Sequence, residues 1–237
     1  EATTHYVAVS QRVADDMLRY YPAVRGRVHV IHPGIQENRY SASVLSGIGR
    51  GLRSELGAGD EVMVFLFAAH NFRLKGLYDL IGALPEVERR LGGGFVLWVA
   101  GRGRAGAYRR LAQRLGVADR VRFLGAVEDM RRVYRAADAL VHPSYYDTFG
   151  GVVPEAMACG LPVAVSHNCG AADLVDDGGG ALFDMPAPPG VLADAMCRVA
   201  DPAVRAYAQK HHPDVTARHP VGAHFEQMEA LYCRLAE

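Results

Sequence analysis

An α/β chain wound on both faces of a parallel sheet is what this sequence predicts, from three observations. Short apolar runs recur along its 237 residues. The runs are near-continuous and not alternating, which suits strands buried on both faces. Amphipathic helical patterns with short joins separate them, the mark of a doubly wound α/β sheet.

The runs come in order. Val28–Ile31 ends in the turn signal His32-Pro33-Gly34. Val62–Ala68, Phe95–Ala100, Val121–Leu124, Ala139–His142, Pro162–Ser166 and Ala181–Phe183 follow. Between them, Ser10–Tyr20 opens on a Ser N-cap and carries Val13, Met17 and Leu18 on one face. Lys75–Leu91 repeats Leu77, Leu80, Ile81 and Leu84 at helical spacing, with Pro85 as a bend or interruption. Ala105–Leu115, Asp129–Ala137, Gly150–Ala158 and Val191–Ala200 read as further helices. The last, His219–Ala236, lines up Phe225, Met228, Leu231, Tyr232 and Leu235. Residues 33–61 form the least regular stretch. The whole of 1–237 reads as one Rossmann-like domain.

Composition narrows the function. Lys plus Arg and Asp plus Glu balance at 26 each, which argues against a nucleic-acid-binding surface but not against a local basic pocket. Cys159, Cys169, Cys197 and Cys233 form no C-x-x-C pair and read as reduced, buried thiols of a cytosolic protein. No apolar run has the length of a membrane span, and no signal peptide is visible. The chain opens on Glu1 and enters a structural segment almost at once, which reads as part of a longer protein.

In such sheets ligands bind at the carboxyl ends of the strands, beside helix N-termini. Three strand ends stand out. His70-Asn71-Phe72-Arg73-Leu74-Lys75-Gly76 brings two cations to a helix start, where a cation costs about 0.3–1 kcal/mol. An anion among them offsets that. A diphosphate gains charge-assisted hydrogen bonds of about 1.5–3 kcal/mol each. The plainer alternative is a solvated charged loop. At Asp147-Thr148-Phe149-Gly150-Gly151-Val152-Val153-Pro154-Glu155, two acids flank a glycine pair that lets a backbone approach a ligand and aim N–H groups at it. The alternative is a capping Asp147 and a surface Glu155. Yet Glu155 lies among Val152, Val153, Ala156, Met157 and Ala158, more than one turn into the helix, where an unpaired acid is costly. Gly101-Arg102-Gly103-Arg104-Ala105-Gly106 has the dinucleotide-binding G-x-G-x-x-G form. The acid expected about 20 residues on arrives only late, as Glu128, so a tight turn lining a nucleotide pocket fits better. His70 and His142 follow strands, where they either line the cleft or, the reading favoured, serve structure; His211-His212 reads as solvent-facing.

These residues resemble the C-terminal domain of family-4, or group 1, retaining glycosyltransferases of the GT-B fold. The resemblance runs over nearly the whole chain. It includes Arg27–Ile35, Lys75-Gly76, Ala100–Gly103, Phe123–Gly125 and Tyr134–Ala139, and is most specific from Pro143-Ser144 through Glu155–Val163. A weaker likeness points to bacterial lipopolysaccharide-core transferases, and so to cell-envelope polysaccharide synthesis. The family signature E-x7-E reads here Asp147-x7-Glu155.

What the resemblance implies is a metal-independent hexosyltransferase that takes a nucleotide-diphosphate sugar, by preference a UDP-sugar, with no cofactor. It assigns Arg73 and Lys75 to the diphosphate, Lys75 the more securely. Glu155 takes the ribose, and Asp147 takes hydroxyls of the transferred sugar through a side chain one methylene shorter than usual. Phe149, Gly150, Gly151 and Val152 match the stretch whose amides hold phosphate. Val127 falls in the loop that meets the base, and Gly101 and Arg102 in the turn beside the nucleotide. The acceptor belongs to an N-terminal domain absent from this chain, and residues 219–237 to a helix that packs on that domain. The chain alone is expected to transfer sugar poorly. Cytoplasmic location with peripheral membrane association of a longer form is compatible with this. Other GT-B enzymes, an epimerase or a phosphorylase, and a binding module without transfer remain alternatives. No lysine suited to a phosphorylase's pyridoxal phosphate is recognisable.

Overall fold

Alternate residues of the run Met63–Ala68 feed two different cores, which is why neither parity of that run is polar. Val64, Leu66 and Ala68 join a cluster with Trp98, Leu140, Val153 and Met157. Phe65 and Phe67 join a second one with Leu77, Leu80, Ile81, Leu97 and Met196. A strand covered by helices on both faces must be apolar throughout. A computed structural model describes residues 4–92 and 94–236. Glu237, the end of the expected C-terminal helix, lies outside the described residues.

The strands are β1 (Tyr6–Ala8), β2 (Val28–Val30), β3 (Met63–Ala68), β4 (Phe95–Ala100), β5 (Val121–Gly125), β6 (Ala139–His142), β7 (Val163–Ser166) and β8 (Gly180–Phe183). The helices are α1 (Gln11–Tyr20), α2 (Glu37–Tyr40), α3 (Ala42–Leu45), α4 (Leu52–Glu55), α5 (Leu77–Leu91), α6 (Gly106–Arg114), α7 (Met130–Ala136), α8 (Val152–Ala158), α9 (Pro189–Ala200), α10 (Pro202–His211), α11 (Val215–Arg218) and α12 (Val221–Ala236). Strands β3 to β8 form one parallel sheet in the order β5-β4-β3-β6-β7-β8. Strands β1 and β2 pair separately, in parallel, around α1. The Rossmann-like α/β reading is what the chain adopts.

Strand order reverses between β3 and β6. Loops leaving those neighbours diverge, and the crevice between them is where such sheets take ligands. The loop after β3 carries Arg73 and Lys75; the loop after β6 carries Asp147 to Gly151. The order brings together two stretches far apart in sequence.

Several boundaries differ from the sequence reading. Gly76 takes φ +75°, so α5 starts at Leu77 and leaves Lys75 in the preceding turn. A Cβ on Gly76 would lie 2.0 Å from the Pro143 carbonyl oxygen, so the turn also needs glycine to approach the β6 loop. Pro85 does not interrupt α5, whose buried face of Leu80, Ile81, Leu84 and Val87 continues past it. The final helix starts at Val221, two residues late, because Ile35 bridges Pro220 and exchanges backbone bonds with His219 and Val221. Residues 33–61 hold α2, α3 and α4. Helix α10 was not anticipated. Of the stripe on α12, Leu231 is buried while Phe225 and Tyr232 stay 65% and 62% exposed. Cys159 and Cys169 are buried, but Cys233 is exposed. His212 does not face solvent: it is 0% exposed, with Nδ1 2.6 Å from the Leu161 carbonyl oxygen.

Candidate functional site

The site begins with Lys75. Its ammonium lies 2.7 Å from Oδ2 of Asp147 and donates to the Tyr146 carbonyl at 2.8 Å. Both side chains are largely shielded, at 16% and 15% exposure. The turn after β3 and the loop after β6 therefore close on one point of the switch crevice. An ammonium carries three donors, so one remains for a ligand.

Asp147 is pinned through its backbone. Its N–H donates to the Asn168 carbonyl at 3.0 Å, and its carbonyl accepts from the Gly170 amide at 3.0 Å. Its Oδ2 also meets Nε2 of the buried His142 at 3.0 Å. Burial pushes the Asp147 carboxyl up, but the hydrogen bonds and charges of His142 and Lys75 outweigh it and hold the group down at about 2. It is no helix cap, because that position falls to Gly151.

Gly150 explains the next turn. It adopts φ +83°, and a Cβ there would lie 2.4 Å from Cys169 Sγ and 3.2 Å from Asp147 Oδ2. Only glycine fits this place. The turn delays α8 to Val152, so Glu155 sits in its first turn and not deeper, as the sequence suggested. Among the described residues, no acceptor is recorded for the amides of Gly150, Gly151 and Val152. Free amides at a helix start are an anion-binding group. Gly151 is exposed, Val152 half-buried and Phe149 buried, its ring 6.0 Å from that of His32.

Glu155 turns toward α7 and α2. Tyr134 donates its hydroxyl to Oε2 at 2.9 Å. Burial raises the Glu155 pKa, countered in part by the Tyr134 hydroxyl, the Arg39 charge and the Tyr40 hydroxyl. This acid is held by neutral donors and stays costly to ionise, the opposite of Asp147.

The remaining expected residues lie around this centre without touching it. Arg73 is exposed, and its charge acts on Tyr108, not on Asp147. Gly101 and Gly103 serve packing: a Cβ on Gly101 would lie 1.7 Å from the Ala69 carbonyl oxygen, and one on Gly103 2.3 Å from the Phe72 ring. The G-x-G turn thus braces the loop that carries Lys75, while Arg102 is exposed. Val127 lines a hollow of about 500 Å³ whose walls mix Leu52, Leu56 and Val133 with the charged Arg122, Glu128 and Arg132.

His142, Asp147 and Cys169 hold potential metal-ligand atoms within 4.8 Å of one another. The Lys75 ammonium, 2.7 Å from the same Asp147 oxygen, already occupies the cation's place. Burial pushes the Cys169 thiol up to about 12, away from the thiolate a metal needs. Sequence reasoning singled out neither Tyr134, Tyr40 and Arg39 nor the tie from His142 to Asp147. The one legible signal was a histidine ending a fully apolar strand five residues before the acid.

The family described as Glycosyl transferases group 1 matches residues 61–201. The D-inositol 3-phosphate glycosyltransferase 2 of Catenulispora acidiphila is 34% identical over 212 residues, 85% of this chain and 49% of that protein. The lipopolysaccharide glucosyltransferase WaaG of Escherichia coli is 27% identical over 175 residues, 74% of this chain and 47% of WaaG. Among solved structures, Anabaena HepE, crystallised with UDP and glucose and with UDP-glucose, aligns at a TM-score of 0.82 and 25% identity over 98% of this chain and 64% of HepE. The chain spans about half the length of the curated relatives it matches. No helix among the described residues is long and apolar enough to cross a membrane.

Proposed function

The chain belongs to the group 1 glycosyl transferases, and from that premise we propose that it is the donor-binding half of a retaining enzyme that takes its sugar from a nucleotide diphosphate. One observation carries the reading. Lys75 from the β3 loop and Asp147 from the β6 loop meet at 2.7 Å in the switch crevice, beside the open amides of Gly150, Gly151 and Val152. A diphosphate fits the ammonium and the amides; a sugar hydroxyl fits the carboxylate. The complexes of HepE with UDP and UDP-glucose support a UDP-sugar as donor.

In the proposed reaction the bond between the anomeric carbon and the phosphate oxygen breaks. Its electron pair goes to the departing nucleotide diphosphate. Lys75 and the α8 amides stabilise that growing charge, joined by Arg73, so no divalent cation is required. Losing one such partner in a water-excluded site costs on the order of 10²–10³ in rate. The acceptor hydroxyl attacks on the face that the diphosphate leaves and gives its proton to the departing phosphate oxygen, which retains configuration. Glu155 takes the ribose hydroxyls and exchanges the tyrosine donors for them. Val127 and its hollow flank the base. The acceptor is held by a part of a longer polypeptide, in keeping with the half-length match to the relatives. The exposed Phe225 and Tyr232 of α12 turn toward that part.

A thermal-shift screen with UDP, GDP, ADP and their glucose conjugates tests the reading. Binding of a nucleotide diphosphate raises Tm in proportion to ligand excess over Kd. One of the three stabilises the chain if the reading holds. No shift with any of them at millimolar concentration refutes it.

A further inference from the structure

His142 ends β6 with its side chain 2% exposed. Its Nε2 lies 3.0 Å from Asp147 Oδ2, and its Nδ1 is buried with no partner among the described residues. A carboxylate only accepts, so Nε2 carries the hydrogen. Lys75 reaches the same oxygen at 2.7 Å. Oδ1 of Asp147 has no recorded partner among the described residues. The two supports differ in how far they are committed. Lys75 is wanted by a diphosphate, which competes for its ammonium. Among the described residues His142 has no other hydrogen-bond partner, and its side chain is buried.

We infer that His142 is a positioning residue: its Nε2–H holds Oδ2 of Asp147 when Lys75 turns to the diphosphate, and so keeps Oδ1 aimed at a hydroxyl of the donor sugar. The inference rests on the donor-site reading above and deepens it. The shorter acid makes such a tether useful. Asp147 has fewer torsions than a glutamate, so one hydrogen bond on one oxygen sets where the other oxygen points.

The test uses side chains that move the donor. Glutamine sets its amide nitrogen near the place of Nε2, asparagine near that of Nδ1, and leucine offers none. Calorimetry with UDP and with UDP-glucose separates the sugar contact from the nucleotide contact. In the wild-type chain UDP-glucose gains over UDP through Asp147. His142→Leu and His142→Asn lower UDP-glucose affinity by about tenfold, the loss of one charge-assisted bond, and leave UDP affinity within about twofold. His142→Gln restores the gain. An unchanged ratio in His142→Leu overturns the inference, as does an equal loss of both ligands in all three variants. So does a wild-type chain that binds UDP and UDP-glucose equally. A wild-type chain that binds neither sinks the donor-site reading itself, and this inference with it. Nitrogen-15 spectra of the wild-type imidazole need no variant to fold: the hydrogen is expected on Nε2, and a hydrogen on Nδ1 alone overturns the inference.

Discussion

Two aspartates bracket β6, and they are used in opposite ways. Asp138, before the strand, spends both oxygens: Oδ2 accepts from Arg53 at 2.9 Å and from the Val64 amide at 2.8 Å, and Oδ1 accepts from Arg205 at 2.7 Å. It ties the start of β3 to α10 at the amino end of the sheet. Asp147, after the strand, concentrates Lys75 and His142 on Oδ2 and leaves Oδ1 open. A saturated carboxylate is a latch; one with a spare oxygen at the switch crevice is prepared for a ligand. On the function proposed above, the amino end of this sheet carries stability and the carboxyl end carries binding.

The largest effect belongs to the latch. Asp138→Ala strands the Val64 amide and two guanidiniums and costs about 3 kcal/mol. In a domain of this size that is roughly 6–12 °C in Tm, read by calorimetry, with UDP affinity unchanged below the transition. Loss of UDP binding by the folded variant would break the comparison.

Lys75→Ala comes next, with the opposite profile. It removes a charge-assisted contact to phosphate and weakens UDP binding on the order of 10-fold to 100-fold, while Tm shifts far less than in Asp138→Ala. Unchanged UDP affinity removes Lys75 from the diphosphate.

Acid titration sharpens the contrast further. Asp147 is held down at about 2, so its contribution to stability is fully present above the ordinary aspartate range near pH 4 and is lost as pH falls toward 2. Asp147→Asn flattens that limb of a pH–Tm profile. A limb that persists in the variant assigns it to other acids.

The smallest effect has the reverse sign. Burial raises the Glu155 pKa, so ionising it costs stability as pH rises above the ordinary glutamate range. Glu155→Gln therefore raises the Tm of the ligand-free chain at pH 7, yet weakens UDP binding. A fall in Tm at pH 7 contradicts this.

Much of the fold was legible because its physics is local. Runs such as Phe95–Ala100 are apolar at both parities, and that needs two covered faces. Ser10 caps α1 as expected, accepting from the Val13 amide at 3.2 Å. Boundaries at Gly76 and Gly150 were misread because positive φ there answers to distant atoms, the Pro143 carbonyl and Cys169 Sγ. Helix α10 had a readable start, Asp201 before Pro202, whose Oδ1 accepts from the Ala203 amide at 2.7 Å, but its weakly patterned interior hid it. The site was legible as residue types and not as contacts. That Lys75 meets Asp147 depends on β3 lying beside β6, and no local pattern encodes that neighbour. His212 looked exposed because its partner, the Leu161 carbonyl, lies far away in sequence.

The central claim is that a pyrophosphate sits between the Lys75 ammonium and the amides opening α8. Amide and lysine side-chain chemical shifts, followed while UDP and then uridine are titrated into the chain, test it most directly. UDP is predicted to move Gly150, Gly151, Val152 and the Lys75 ammonium, and uridine to leave all four in place. Equal responses to both ligands, or none at these four positions while UDP binds elsewhere, would contradict it.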